Sequence, residues 1–354
     1  FHRNLSTQNS CFICKAGLWP AGTQEVYMLR SLVLFCLALI LAACQAAPAV
    51  PANAPVPTAA PSPTLTPTPF PEEFSTTVQV GEYAMDIRCR GSGEPTIILE
   101  NGLDSDSWIF PRFYKISRTC TYPRVGLVTA AKESPRTTLD QVKDLHELLV
   151  KSGIPGPYIL VGYSIAGYNL PLYASQYPNE VVGLVCVDCR YPLVAELFLE
   201  KIKNEYAKDP NLADIINDAI VGYFLYENKS PDSWESYREK LDLPSSVKQV
   251  MNVKTLKDIP FIVLVASNHF LGINETKDQF FTSSWNEASL KLSQLSSQGR
   301  FEVVPNTDPG SIKDNDAVAK AIQEVYSMVK KSQRTMTRPQ RLLKLLGDLS
   351  ILHE

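Results

Sequence analysis

The segment Pro157-Tyr-Ile-Leu-Val-Gly-Tyr-Ser-Ile-Ala-Gly-Tyr-Asn-Leu170 constrains this chain more than any other. Tyr158 to Val161 is a short unbroken apolar run, suited to a strand buried on both faces. The chain then passes through Gly162-Tyr163-Ser164-Ile165-Ala166-Gly167 into residues with helical spacing, Tyr168 to Tyr177. A serine on a tight strand-to-helix turn, flanked by small residues, has the pattern of a nucleophile elbow. Small neighbours permit strained backbone angles there, and the following helix aims free N–H groups and its positive dipole end at the serine. The Gly-x-Ser-x-Gly pattern is imperfect, because Ala166 stands at the second glycine and Gly167 comes one residue later. The same residues also read as a Gly/Ser-rich βα turn of any parallel α/β protein.

The flanking sequence supplies the context for that turn. Thr76–Tyr83 and Met85–Arg90 predict two strands around Gly81-Glu82, and Pro95–Glu100 a third, buried one. Asn101-Gly102 opens a polar loop toward Trp108, and Thr119–Arg124 is a further strand candidate. Leu139, Val142, Leu145, Leu148 and Leu149 mark an amphipathic helix closed by Gly153. Val181–Asp188, Ile259–Ala266 and Arg300–Pro305 read as strands, and Asn315–Val329 as the last helix. This alternation predicts an α/β fold: a mostly parallel twisted sheet with helices on both faces. Residues 192–257 interrupt it with helical, Tyr-rich sequence, expected as a helical lid insertion over the strand ends.

The remaining segments read as appendages to one body of residues 74–330. Residues 1–27 resemble neither a domain nor a targeting signal and are taken as an upstream extension. Residues 28–43 carry a basic start, Met28-Leu-Arg30, and an apolar run too short for a bilayer span. Leu41-Ala42-Ala43-Cys44 resembles a bacterial lipobox, which implies cleavage before Cys44 and its lipidation. Residues 44–73, rich in Pro, Ala and Thr, form an extended tether. The expected location is therefore extracytoplasmic, lipid-anchored to a bacterial membrane. Residues 331–354 are a basic and then apolar tail with no assigned role. A net charge of −3 gives no footprint for nucleic acid, and neither a phosphate loop nor a metal cluster is legible, so no cofactor is expected.

The body resembles the α/β-hydrolase fold, in particular its small secreted or lipid-anchored bacterial esterase-like members. The resemblance rests on Cys89–Gly102, Cys120–Gly126, Asp144-Leu-His146, Pro157–Gly167, Val187-Asp188 and Val303–Pro305. It implies a serine hydrolase acting on a small-molecule carboxylic ester or related acyl substrate. Ser164 is then the nucleophile, with the backbone amides of Ile165 and Leu103 as the oxyanion hole. The family's histidine follows the last strand, but this chain reads Pro305-Asn-Thr-Asp-Pro-Gly-Ser311 there. Pro123 likewise replaces an aspartate common before Arg-x-Gly in relatives.

Four histidines occur in the chain. His2 and His353 lie outside the body, and His146 reads as a packed helix residue. His269 stands where the family often has its acid. One reading is a swapped pair, His269 as base and Asp308 as its orienter; the other is a lapsed site that binds without turnover. Asp188 is a second acid candidate, or else a cap for the turn into the lid. Relatives often pair cysteines at the places of Cys89 and Cys120, which implies a disulfide between them. Cys186 and Cys189 cannot bridge in extended backbone and stay undecided. Lid aromatics Tyr223, Phe224, Tyr226, Trp234 and Tyr237 are compatible with an apolar acyl group or with lid packing.

Overall fold

A computed structural model describes residues 70–102, 113–127, 135–226, 239 and 241–335. The segments up to residue 69, including Cys44, lie outside the described residues, as do Leu103, the lid aromatic side chains named above and residues 336–354. Strands β1 (Glu73–Val80), β2 (Tyr83–Arg90), β3 (Thr96–Glu100) and β4 (Thr119–Thr121) precede helix α1 (Thr138–Lys151). Then come β5 (Tyr158–Tyr163), α2 (Ala166–Gln176), β6 (Val181–Val187), α3 (Leu193–Glu205), α4 (Leu212–Tyr226) and α5 (Leu243–Met251). The chain closes with β7 (Phe261–Ala266), α6 (Glu275–Ser293), β8 (Gly299–Val304) and α7 (Asp316–Thr335).

The eight strands make one open sheet in the order β1-β2-β4-β3-β5-β6-β7-β8. β2 is antiparallel to β1 and β4, and every other pairing is parallel. Strand side chains alternate between two cores, which is why the central strands read as unbroken apolar runs. Ile98, Leu160, Leu184 and Val263 face the core shared with α1, α2 and α6. Ile97, Leu99, Ile159, Val161, Val185 and Leu264 face α7. On α7, Val318, Ile322, Val325 and Val329 recur at helical spacing and are buried; each contributes about 1.5–3 kcal/mol before chain entropy is counted.

Helix α1 begins with a reciprocal cap, Thr137 and Asp140 each bonding the other's backbone N–H. Helix α6 is absent from the sequence expectations, since polar residues break its apolar stripe. Only Asn274, whose Oδ1 accepts from the Lys277 amide, marks its start. The order of strands places the ends of β5, β6 and β7 side by side, and the candidate residues gather there.

Candidate active site

Ser164 follows β5 with φ of 53°, a left-handed conformation rare outside glycine. Such a residue costs about 1–3 kcal/mol and persists only where its surroundings impose it. Here they do. The Ser164 amide donates to the Val187 carbonyl at 3.3 Å, and the Ser164 carbonyl accepts from the amides of Gly167 at 3.0 Å and Arg190 at 2.8 Å. A Cβ on Gly167 would sit 2.1 Å from the Arg190 carbonyl oxygen, so the glycine this elbow requires is Gly167. Ala166 is fully buried, and its methyl fits against Gly162. The imperfect motif is therefore a shift of the close approach by one residue. Ile165 is the N-cap of α2, where a helix leaves amides without internal acceptors. Gly102 lies over the same turn: a Cβ there would come 2.7 Å from the Tyr163 ring and 3.3 Å from Ser164 Cβ.

Asp188 follows β6, also left-handed at φ 47°. Its buried Oδ1 accepts from the Ala266 amide at 3.0 Å and from His269 Nε2 at 2.9 Å. His269 has a fully enclosed side chain, stacked on Trp285 at 4.7 Å between ring centroids and edge-on to Phe281. Thr282 Oγ1 accepts from the His269 amide at 3.1 Å and donates to the His269 carbonyl at 3.0 Å. With a carboxylate accepting at Nε2, that nitrogen is the donor of the pair. His269 Nδ1 is buried and has no hydrogen-bond partner. Among the described residues no hydrogen bond joins Ser164 Oγ to His269.

Two sequence expectations change at this point. Asp308 does not orient His269: it is exposed, and its Oδ1 accepts from the amides of Gly310 at 2.8 Å and Ser311 at 2.9 Å. Those turn amides and the Ser311 hydroxyl hold its carboxyl below the usual range, the Ser311 amide most of all. Asp308 is a turn-former, and the acid facing His269 is Asp188. Asp188 in turn caps no helix; its carboxylate crosses to β7. The loop after β8 still meets the elbow, because Tyr163 Oη donates to the Pro309 carbonyl at 2.5 Å.

The left-handed turn at Asp188 also resolves Cys186 and Cys189. It brings their Cα atoms to 5.5 Å and lets them form a disulfide across it. Cys89 and Cys120, in register on β2 and β4, form the other. His146 stacks on Tyr177 at 3.9 Å and bonds Glu180 through Nδ1, remote from the serine turn.

Beneath the Asn101-Gly102 loop lies a buried polar cluster with no counterpart among the sequence expectations. Arg124 is 3% exposed and donates to Glu239 through Nε at 3.1 Å and Nη2 at 3.0 Å. It also donates to the carbonyls of Asn101 at 2.5 Å and Gly102 at 3.0 Å. Gln141 links Glu239 to Asn169 of α2, and Asn169 donates to Glu100 at the end of β3. A cavity of about 670 Å³ adjoins His269, Phe270, Asp278, Thr282 and Asn286, but neither Ser164 nor Asp188 lines it. Among the described residues no group of three His, Cys, Asp or Glu could hold a metal ion, and no helix is long and apolar enough to cross a membrane.

No protein-family model matches the chain. It is 30% identical over 124 residues to a protein named "Probable transporter efuK" from Hormonema carpetanum, covering 31% of this chain and 18% of that protein. It is 30% identical over 105 residues to "Uncharacterized protein YqjL" from Bacillus subtilis, covering 28% of this chain and 41% of that one. The matches thus span less than half the length of these curated relatives. Among solved structures, a haloalkane dehalogenase from Bradyrhizobium elkani is similar with a TM-score of 0.51 at 12% identity, over 73% of this chain and 99% of that one.

Proposed function

We propose, from a chain whose sheet order and structural similarity give it the α/β-hydrolase fold, that the protein is a serine hydrolase of carboxylic esters or related acyl compounds. The observation that carries this reading is the left-handed Ser164 on its turn, bonded to the end of the strand that leads into Asp188, together with a histidine–carboxylate pair whose second ring nitrogen is buried without a partner. A buried unpaired nitrogen needs an explanation, and a base awaiting its proton donor is one. In this reading Ser164 Oγ attacks the ester carbonyl while its proton passes to His269 Nδ1. Asp188 holds Nε2–H and stabilises the imidazolium. The Ile165 amide, joined by that of Leu103, donates to the developing oxyanion. The proton then goes to the departing alcohol, and water attacking the acyl-enzyme through the same base releases the acid. Catalytic hydrogen bonds are often long before substrate arrives, so the Ser164–His269 bond is assigned to the substrate complex.

Hydrolysis of p-nitrophenyl acetate and butyrate tests the residue roles. Ser164→Ala and His269→Ala should lose nearly all activity, Asp188→Asn less, and Asp308→Ala should stay within about twofold of wild type. Activity that survives His269→Ala refutes the base. A second reading has its own support: with no hydrogen bond between Ser164 and His269, the protein would bind acyl ligands without turning them over. The lipid anchor at Cys44 is proposed alongside either reading; Cys44→Ser should release the protein from membranes.

A further inference from the structure

The cluster around Arg124 joins three parts of the chain that are far apart in sequence. Glu239 belongs to the insertion, Asn101 and Gly102 to the loop lying on the Ser164 turn, and Asn169 to the elbow helix. All are nearly enclosed: Arg124 is 3% exposed, Glu239 1% and Asn169 3%. A guanidinium presents its five N–H donors in a rigid fork. Here one side of the fork grips a single carboxylate with two donors, and the other side holds two successive carbonyls of one loop. Structural arginines do pair with carboxylates, but a role confined to stability would not require both carbonyls beside the nucleophile.

The consequence follows from peptide planarity. Fixing the Gly102 carbonyl fixes the plane of the peptide bond that follows it, and with it the direction in which that bond's N–H can point. A Cβ on Gly102 would meet the Tyr163 ring and Ser164 Cβ, so the carbonyls that Arg124 holds belong to a stretch packed directly on the serine turn. Arg124 can hold both carbonyls only while its charge is met from the other side. Glu100, 3.5 Å from Nη1, is the nearest alternative carboxylate, but burial pushes its proton affinity up and weakens it as a counter-ion. Glu239 is therefore the carboxylate that balances the fork, and it is supplied by the insertion.

We propose that Arg124 and Glu239 are a positioning pair, through which seating of the insertion aims the Asn101-Gly102 loop at Ser164. Neither residue touches substrate; both act through the loop carbonyls. The inference rests on the serine hydrolase reading for its catalytic consequence, but its structural half stands independently. In Glu239→Ala the guanidinium turns toward Glu100 and releases the loop. A misplacement near 1 Å costs about 100-fold in rate. The loss falls on kcat, with KM changed less than about threefold, because the loop contributes to the transition state rather than to ground-state binding. Glu239→Gln, which keeps the shape and one acceptor, should recover part of that loss, and Arg124→Lys should not match it, lacking the fork.

The test combines two readouts on the full chain at a temperature where all variants are folded by circular dichroism. The first is the second-order rate of Ser164 labelling by a fluorophosphonate. The second is hydrogen–deuterium exchange in the peptide containing Asn101 and Gly102. Expected is a labelling rate about 100-fold lower in Glu239→Ala, partly restored in Glu239→Gln, with faster exchange in the loop. Unchanged exchange in Glu239→Ala overturns the clamp, whatever Ser164 does. Faster exchange with an unchanged labelling rate overturns its catalytic consequence. Faster exchange in a protein whose wild type is never labelled upholds the clamp and overturns the hydrolase reading instead. If Glu239→Ala does not fold, Glu239→Gln alone decides, with intermediate effects of the same sign.

Discussion

Replacing Asp188 by alanine tests the His269 pair through stability as well as chemistry. The carboxylate is 2% exposed and satisfies two buried donors, the Ala266 amide and His269 Nε2. Alanine leaves both unpaired, at about 1–3 kcal/mol each. It must also adopt φ near 47°, which a non-glycine residue other than Asn or Asp tolerates poorly, adding about 1 kcal/mol. The sum, about 3–7 kcal/mol, is a large share of the 5–15 kcal/mol typical of a domain. Asparagine keeps one oxygen that can accept from both donors and tolerates the left-handed angle, so it loses only the charge-assisted part of the two bonds, about 1–2 kcal/mol. Urea unfolding with the disulfides intact measures this, and fluorescence of Trp285 reports directly because it stacks on His269. At a slope near 3 kcal/mol/M, alanine should lower the midpoint by about 1–2 M. Equal midpoints for the two variants, or a shift of alanine under about 0.3 M, would refute the pairing as drawn.

Other consequences are independent of that pair. Gly167→Ala drives a methyl to 2.1 Å from the Arg190 carbonyl, a backbone atom that cannot turn aside, and should cost at least 3 kcal/mol in thermal unfolding. Removing Cys89 and Cys120 together opens a loop of 31 residues and should cost about 3–4 kcal/mol by calorimetry. Asp144 is pushed up to about 6 by burial, against the opposing charge of Arg136. The folded state therefore binds the proton more tightly than the unfolded one, so stability present below about pH 4 is lost as pH rises to about 6. Asp144→Asn should flatten that segment of the pH–stability curve; an unchanged slope would reject the assignment.

Much of this architecture is legible before any coordinates, because it rests on local signals. Apolar runs such as Ile159–Val161 mark strands covered on both faces, and Gly162 to Gly167 marks the turn. The site was less legible because it depends on partners brought together by the fold. Family position pointed His269 toward Asp308, yet Asp308 is consumed by its own turn amides. Asp188 wins because β6 and β7 are neighbours, which places its carboxylate at the Ala266 amide and within reach of His269. The Cys186–Cys189 bridge depends on one left-handed residue that no spacing rule announces. Arg124 and Glu239 lie 115 residues apart, and only their shared burial reveals them. Helix α6, whose Trp285 and Phe281 wall in His269, was hidden by its polar surface.

Labelling by a fluorophosphonate with mass-spectrometric site assignment tests the central claim most directly. Only a serine whose proton is being removed reacts at a useful rate. The account predicts one modified residue, Ser164, with labelling abolished in Ser164→Ala, strongly reduced in His269→Ala and unaffected in Asp308→Ala. A well-folded wild type that stays unlabelled, or one labelled equally fast without His269, contradicts it.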